Sequence, residues 1–410
     1  MEYQRVRSWV RHFSLSRVLE LAFLRSSAVF GLSGIAFAVG TLLLARAMPV
    51  SEFGAFSLLL ALFNIFCLLA PAGIDQIAVR HRLRASAKLL ATSIAISIAL
   101  AALVAFVVFR LGHLPFWSAL ALGGSIAIGG QVVTASGLLR AAGRLGVATW
   151  VFTGGNWGLL AIGVVGQWIA MPSASLPFTL FLLGQTAIAV VAWTMLLSAS
   201  SGPSMRGVGI PWREAPSLLG VAAIGTIVLQ LERIIIPPLM DLAALATFSV
   251  LSSVAIFPFR IMTSSLEFSL TPRLRGEASA ARRRALFWLE MRGIAVVLVF
   301  GTALVLLLAP WAASWITGSK YQLTFPLLLA GCVSGAVKFL QTVARSVLTA
   351  CGSAADLGLL NLAGGAGLVL GALGGVLGSQ LSLPGIVLGV ALGFALGTVP
   401  ALVRTARLLR

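Results

Sequence analysis

Acidic residues are scarce: the chain has 11 Asp and Glu in 410 residues, against 29 Lys and Arg, a formal charge of +18. Charged residues of both signs make up 10% of the chain, where a soluble domain carries about 25%. So few polar groups cannot cover a water-facing surface, which excludes a soluble fold. The 59% hydrophobic content excludes disorder, which requires an apolar-poor chain. The three cysteines, Cys67, Cys332 and Cys351, have spacings that suit neither a disulfide framework nor a metal site and read as small core residues. The three histidines, His12, His81 and His113, are scattered, so no metal or other cofactor is expected. A membrane transferase or ligase needs acidic or basic groups on a sizeable loop; no such loop exists, and the chain is not expected to be an enzyme. The glycine-dense stretch from Gly364 to Gly378 has no preceding strand and no following Lys-Ser/Thr. It reads as close helix packing and not as a phosphate-cradling loop.

What the sequence has in quantity is long apolar runs. A helix needs about 20 such residues to cross the roughly 30 Å hydrocarbon core. Twelve spans are predicted, over 26–47, 54–79, 88–109, 115–139, 145–170, 177–199, 215–238, 242–270, 287–309, 324–350, 356–378 and 384–403. The runs are too long and uniform for the alternating strands of a membrane barrel, so the fold class is all-α and polytopic.

The basic residues test this count. With both termini in the cytoplasm, the inner segments hold 22 of the 29. The outer side holds only Arg46, Arg110 and Lys320. That asymmetry is the positive-inside pattern, and it also removes nucleic acid as the partner of the +18 charge. Residues 1–25, with Trp9 and Phe13 among Arg5, Arg7 and Arg11, read as an interfacial helix on the anionic leaflet or as a topology anchor.

An internal repeat divides the chain. Met48 to Ser57 resembles Met240 to Ser249, and Arg82-Leu83-Arg84 resembles Arg273-Leu274-Arg275, at nearly the same offset. Two parallel six-helix bundles, over 26–200 and 215–403, are expected around a cytoplasmic linker at 201–214, with a cytoplasmic tail at 404–410. Transporters built from such repeats carry substrate between the halves and rock around a central site.

Four basic residues remain within spans: Arg233, Arg260, Lys338 and Arg345. A charge at the bilayer centre costs at least about 2.5–3.5 kcal/mol, so each needs a cavity or a partner. In span 8, Ser249, Ser253, Arg260, Ser264, Glu267 and Thr271 recur at helical spacing on one face. Span 10 repeats this with Ser334, Lys338, Gln341, Arg345 and Thr349, and span 7 aligns Thr226, Gln230 and Arg233. Pro237-Pro238 then ends or bends span 7. The N-terminal half offers Asn64, Asp75, Gln76, Gln131, Thr134, Thr149, Thr153 and Asn156. The set reads as a hydrated cationic cavity for an anionic head group, because guanidinium forks match phosphate oxygens. The alternative is a set of structural ion pairs, such as Glu267 with Arg260 or Glu232 with a basic partner. Glu232, Glu267 and Asp75 are the carboxylates placed to pair with these cations or to carry a proton for H+ coupling.

Several short motifs point to a family. Leu43 to Leu58, with Glu52-Phe53-Gly54-Ala55-Phe56 at its centre, resembles the first outer loop of the polysaccharide transporter family. These are the Wzx-type lipid-linked oligosaccharide flippases of the multidrug/oligosaccharidyl-lipid/polysaccharide exporter superfamily. Ala72 to Arg80 is similar to the end of its second span, Gln230-Leu231-Glu232-Arg233 to its span 7 motif (with Glu in place of the usual Asp), and Pro272 to the residue after span 8. The resemblance implies a MATE-like, V-shaped pair of bundles around a cationic lumen in the bacterial inner membrane. It implies translocation of an undecaprenyl-diphosphate-linked sugar unit to the outer leaflet by alternating access, with the diphosphate at Arg260, Lys338 and Arg233. H+ or Na+ coupling and glycan polymerase partners are further implications. The alternatives are an exporter of small amphipathic molecules on the same scaffold and a non-transporting scaffold of a glycan-synthesis complex.

Overall fold

The computed structural model describes residues 22–110, 115–199, 212, 215–260, 262, 263, 266, 270, 274 and 279–409. The predicted interfacial segment up to residue 21, nearly all of the 201–214 linker, Ser264 and Glu267 lie outside these.

Every predicted span has a helix at its position. These are α1 (Ala22–Ala47), α2 (Val50–Leu69), a short α3 (Ile74–His81), α4 (Ala87–Arg110), α5 (Phe116–Ala141), α6 (Leu145–Val165), α7 (Ser175–Ala199), α8 (Ala215–Leu239), α9 (Leu242–Leu251), α10 (Ala280–Thr317), α11 (Phe325–Cys351), α12 (Ala354–Ser379) and α13 (Leu383–Leu408). Among the described residues there is no strand, and ten helices are long and apolar enough to cross a membrane. The chain is an all-α polytopic bundle.

Three boundaries differ from the sequence expectation, each for a backbone reason. Span 2 is not one helix. It breaks after Leu69, where Ala72 and Gly73 adopt positive φ of 49° and 81°, and restarts as α3. Left-handed backbone is easy for glycine and unfavourable for alanine, so the break is a built turn. Span 8 is helical but changes pitch: Ser252–Ile256 forms a π turn, and the Phe257 N–H bonds the Ser252 carbonyl. The helix then resumes through Arg260. Span 9 extends beyond the expected 287–309 to 38 residues, so Arg282, Arg283 and Arg284 lie on its first turns and not in a loop. Pro237 and Pro238 sit in the last turn of α8, which stops at Leu239.

Most helix contacts fall within α1 to α7 or within α8 to α13, and the two groups meet through α2 on α8 and α9 and through α1 on α9 and α10. The crossing of α12 and α13 is the most extensive contact in the second group. Gly374 there faces the Gly389 backbone and Gly378 the Gly385 backbone, with no room for a Cβ. With lipid offering no hydrophobic drive between helices, such close backbone approach supplies the packing energy.

The two groups are in close contact at the end opposite Leu408, which carries the α1–α2, α8–α9 and α10–α11 junctions. Gly54 packs directly on the Leu242 backbone, so the two repeated loops touch each other. Lys320, before α11, donates to the carbonyls of Arg46 and Met48. The buried Tyr321 ring meets the buried Phe53 edge-on at 6.1 Å. The Glu52 carboxylate accepts from the Ala174 N–H at 2.8 Å, which fixes α2 to the start of α7. This end of the bundle is sealed.

Candidate functional site

A cavity of about 360 Å³ lies between the two helix groups, within the range typical of small-molecule sites. One wall comes from α1, α2, α5, α6 and α7, with Ser33, Asn64, Thr153, Asn156 and Gln185 as its polar groups among Phe37, Phe63, Phe152 and Phe181. The other comes from α8 and the segment after α9: Thr226, Leu229, Gln230, Phe257 and Arg260. The π turn precedes Phe257 and so sets the direction of Arg260, because a π turn adds a residue to the helical count and rotates all that follows.

Of the expected residues, some line this cavity, some line a second one, and Arg233 lines neither. Arg260 and Gln230 line the large cavity. Lys338, Gln341 and Arg345 line a smaller space of about 60 Å³ inside the second helix group, with Thr263, Thr342 and Asn361, and Leu229 of α8 lines both. Gly225 leaves room for the Arg345 guanidinium, whose Nη1 would lie 2.6 Å from an added Cβ. Asp75 is buried on α3, accepts from Gln76 Nε2 at 2.8 Å, and lines neither cavity.

Glu232 is fully buried and takes three donors. Lys338 Nζ bonds both carboxylate oxygens at 2.6 and 2.8 Å, and Ser334 Oγ donates at 2.9 Å. The same ammonium lies 6.0 Å from the Phe394 ring centroid. This pair joins α8 to α11 across 106 residues.

Arg233 and Arg260 are left differently. Arg233 is 2% exposed, and neither its Nε nor its Nη1 has a hydrogen-bond partner. Arg260 donates from Nη2 to the Leu229 carbonyl at 2.9 Å, while its Nε is unpartnered. The two guanidiniums are close enough to repel each other. Among the described residues no carboxylate bonds either one. A buried charge without a counter-charge costs several kcal/mol; among the described residues one carboxylate, Glu232, lies within electrostatic reach of Lys338, Arg233 and Arg260 together, so cations outnumber anions in this corner. Beside it the Gln230 Oε1, also buried, has no donor.

Two contributors escaped the sequence reading. Gln185 lines the cavity opposite Arg260, is 5% exposed and makes no hydrogen bond among the described residues. It was detectable as an isolated amide in the apolar run of α7. Lys320 also joins the two groups; in the sequence its cue is that it stands as a single lysine on the nearly uncharged side. Among the described residues no group of His, Cys, Asp and Glu is placed to hold a metal ion.

No protein-family model matches the chain, and no curated protein sequence matches it. Solved structures do. One is an inward-facing conformation of a multidrug resistance MATE family transporter of the MOP superfamily, at TM-score 0.59 and 15% identity, covering 93% of this chain and 95% of the other. The outward-facing conformation of a multidrug resistance MATE family transporter aligns at TM-score 0.59 and 14% identity over 95% of both chains. A crystal structure of MATE in the straight conformation aligns at TM-score 0.59 and 14% identity, covering 94% of this chain and 96% of the other. From end to end, the chain has the fold of the MATE transporters of the MOP superfamily.

Proposed function

We propose that the protein is a flippase that moves a lipid-linked oligo- or polysaccharide precursor across the bacterial cytoplasmic membrane by alternating access, with the lipid's diphosphate held at Arg260 and Arg233. One observation carries this reading: the half-buried Arg260 guanidinium in the cavity wall and the buried Arg233 guanidinium within its electrostatic reach both have unpartnered donors, while the nearby carboxylate of Glu232 is bonded to Lys338. Guanidinium forks suit phosphate oxygens, and a diphosphate supplies the charge that this corner lacks. The lipid tail stays in the bilayer, so the protein needs to shield only the polar head. The seal at one end of the bundle, with the cavity displaced from it, supports alternation between two openings. Fold neighbours solved in inward- and outward-facing forms are consistent with the same cycle. Glu232 and Lys338 are the natural pair through which H+ or Na+ coupling would act, and a glycan polymerase is the natural downstream partner.

The test is translocation in proteoliposomes of a short-chain polyprenyl diphosphate carrying one sugar. Arg260→Gln and Arg233→Gln are each expected to lower the initial rate by about 10- to 100-fold, the loss of a charge-assisted hydrogen bond worth about 1.5–3 kcal/mol. Unchanged rates in both variants overturn the reading. A second reading, export of small amphipathic molecules, is favoured by the multidrug resistance description of the fold neighbours. The cationic corner works against cationic drugs, and efflux of a neutral or anionic dye without lipid translocation would select this reading.

A further inference from the structure

The cavity has two chemically different walls. Across from Arg260, the α2, α6 and α7 wall presents Asn64, Asn156 and Gln185 and no charged side chain. Gln185 makes no hydrogen bond among the described residues, and its residue is 5% exposed in the cavity lining. Its Nε2 end approaches Gly155 of α6, where a Cβ would collide with it. Asn156 is held by its donation to Ser33 Oγ at 2.8 Å, which leaves its carbonyl oxygen as an acceptor. Phe63 and Phe181 meet edge-on at 4.9 Å on the same wall and give an apolar surface beside these amides.

Neutral amides that both donate and accept, next to aromatic rings, are the groups that recognise an uncharged, hydroxyl-rich ring: amides pair with hydroxyls, and ring faces cover C–H groups. A charged ligand would find no counter-ion on this wall, and a purely apolar one would leave Gln185 unpaired. We infer that the Asn64, Asn156 and Gln185 wall is a glycosyl subsite that seats the first, uncharged sugar of the ligand while its diphosphate faces Arg260. The subsite reads the sugar, and the arginines read the phosphate. This rests on the anionic-lipid reading above and goes beyond it in assigning specificity to the opposite helix group. Sites built to pair a hydroxyl discriminate strongly against a ligand that lacks it.

The experiment measures binding to the purified full chain in nanodiscs. The probes are farnesyl diphosphate and the farnesyl diphosphates carrying one N-acetylglucosamine or one galactose. The wild-type protein is expected to bind at least one sugar-bearing probe about tenfold more tightly than the bare diphosphate. Gln185→Leu and Asn64→Leu, which keep side-chain size, are expected to remove that increment and leave farnesyl diphosphate affinity within twofold. Arg260→Gln weakens all three probes. Equal wild-type affinity for all three, with Arg260→Gln still weakening them, overturns the subsite and leaves the diphosphate reading standing. Absence of binding to any probe overturns both. An increment that survives in both leucine variants also overturns the subsite.

Discussion

Replacing Glu232 by Gln is expected to be the most destabilising single change in the cavity region, by about 3–5 kcal/mol. The carboxylate is fully buried and is the shared counter-charge of the region: it bonds Lys338 directly and lies within electrostatic reach of Arg233 and Arg260. Glu232→Gln leaves the buried Arg233 and Lys338 and the half-buried Arg260 with no carboxylate close by among the described residues. Lys338→Met is expected to cost less, because the freed carboxylate still faces two guanidiniums. The double variant Glu232→Gln/Lys338→Met is expected to be more stable than Glu232→Gln alone, since it removes one of the stranded charges. Thermal unfolding in detergent orders the three. If the double variant is less stable than Glu232→Gln, the pair is not the source of the loss. Adding the polyprenyl diphosphate is further expected to raise the unfolding temperature of the wild-type protein, because a ligand that binds only the folded state stabilises it.

Gly54→Ala is expected to open the sealed end of the bundle. The added methyl would fall inside van der Waals contact of the Leu242 carbonyl, with backbone on both sides and no flexible side chain to give way. Overpacking of this kind costs about 1–3 kcal/mol. The two helix groups can avoid that cost by separating, which turns a local clash into a shift between conformations. The measurement is maleimide labelling of a Tyr321→Cys reporter, in a background with Cys67, Cys332 and Cys351 replaced by alanine. Tyr321 is 4% exposed against Phe53, so labelling is expected to be slow while Gly54 is retained. In the Gly54→Ala variant it is expected to be at least about tenfold faster, since about 1.4 kcal/mol of relative destabilisation already gives that factor. Equal rates would show that the seal does not depend on this contact.

Much of the architecture was legible because hydropathy reports length directly. An apolar run of 20 or more residues has few fates besides a membrane span, and all twelve positions hold helices. The break at Ala72-Gly73 and the π turn at Ser252–Ile256 were not legible. Both lie inside uninterrupted apolar sequence, and hydropathy does not register φ or hydrogen-bond pitch. The same limit explains the site. Helical spacing placed Lys338, Gln341 and Arg345 on one face of α11, which suits their sharing a cavity. Periodicity within one helix says nothing about the partner on another, so the pairing of Lys338 with Glu232 needed the packed structure. The same holds for the separation of the Lys338 set from Arg260. Gln185 is uncharged and single in its apolar run, so neither charge nor periodicity singles it out, and its place in the cavity wall follows only from the packing of α7 against α2 and α6.

The length of α10 has a consequence for the surrounding lipid. Its 38 residues span about 57 Å at 1.5 Å per residue, more than the roughly 40–45 Å of a bilayer with its head groups. Trp288 at one level, and the stacked Trp311 and Trp315 at the other, project outward from the bundle, the positions tryptophan takes at the two interfaces. Trp288 and Trp311 are 23 residues apart, about 34 Å along the axis, slightly more than a typical hydrocarbon core. A thicker membrane would stand α10 more upright and a thinner one would tilt it. Either change moves the arginine-bearing turns at Arg282 to Arg284 relative to the phosphate layer. Since α10 also packs on α1 and on the π turn before Arg260, bilayer thickness has a mechanical route to the cavity wall.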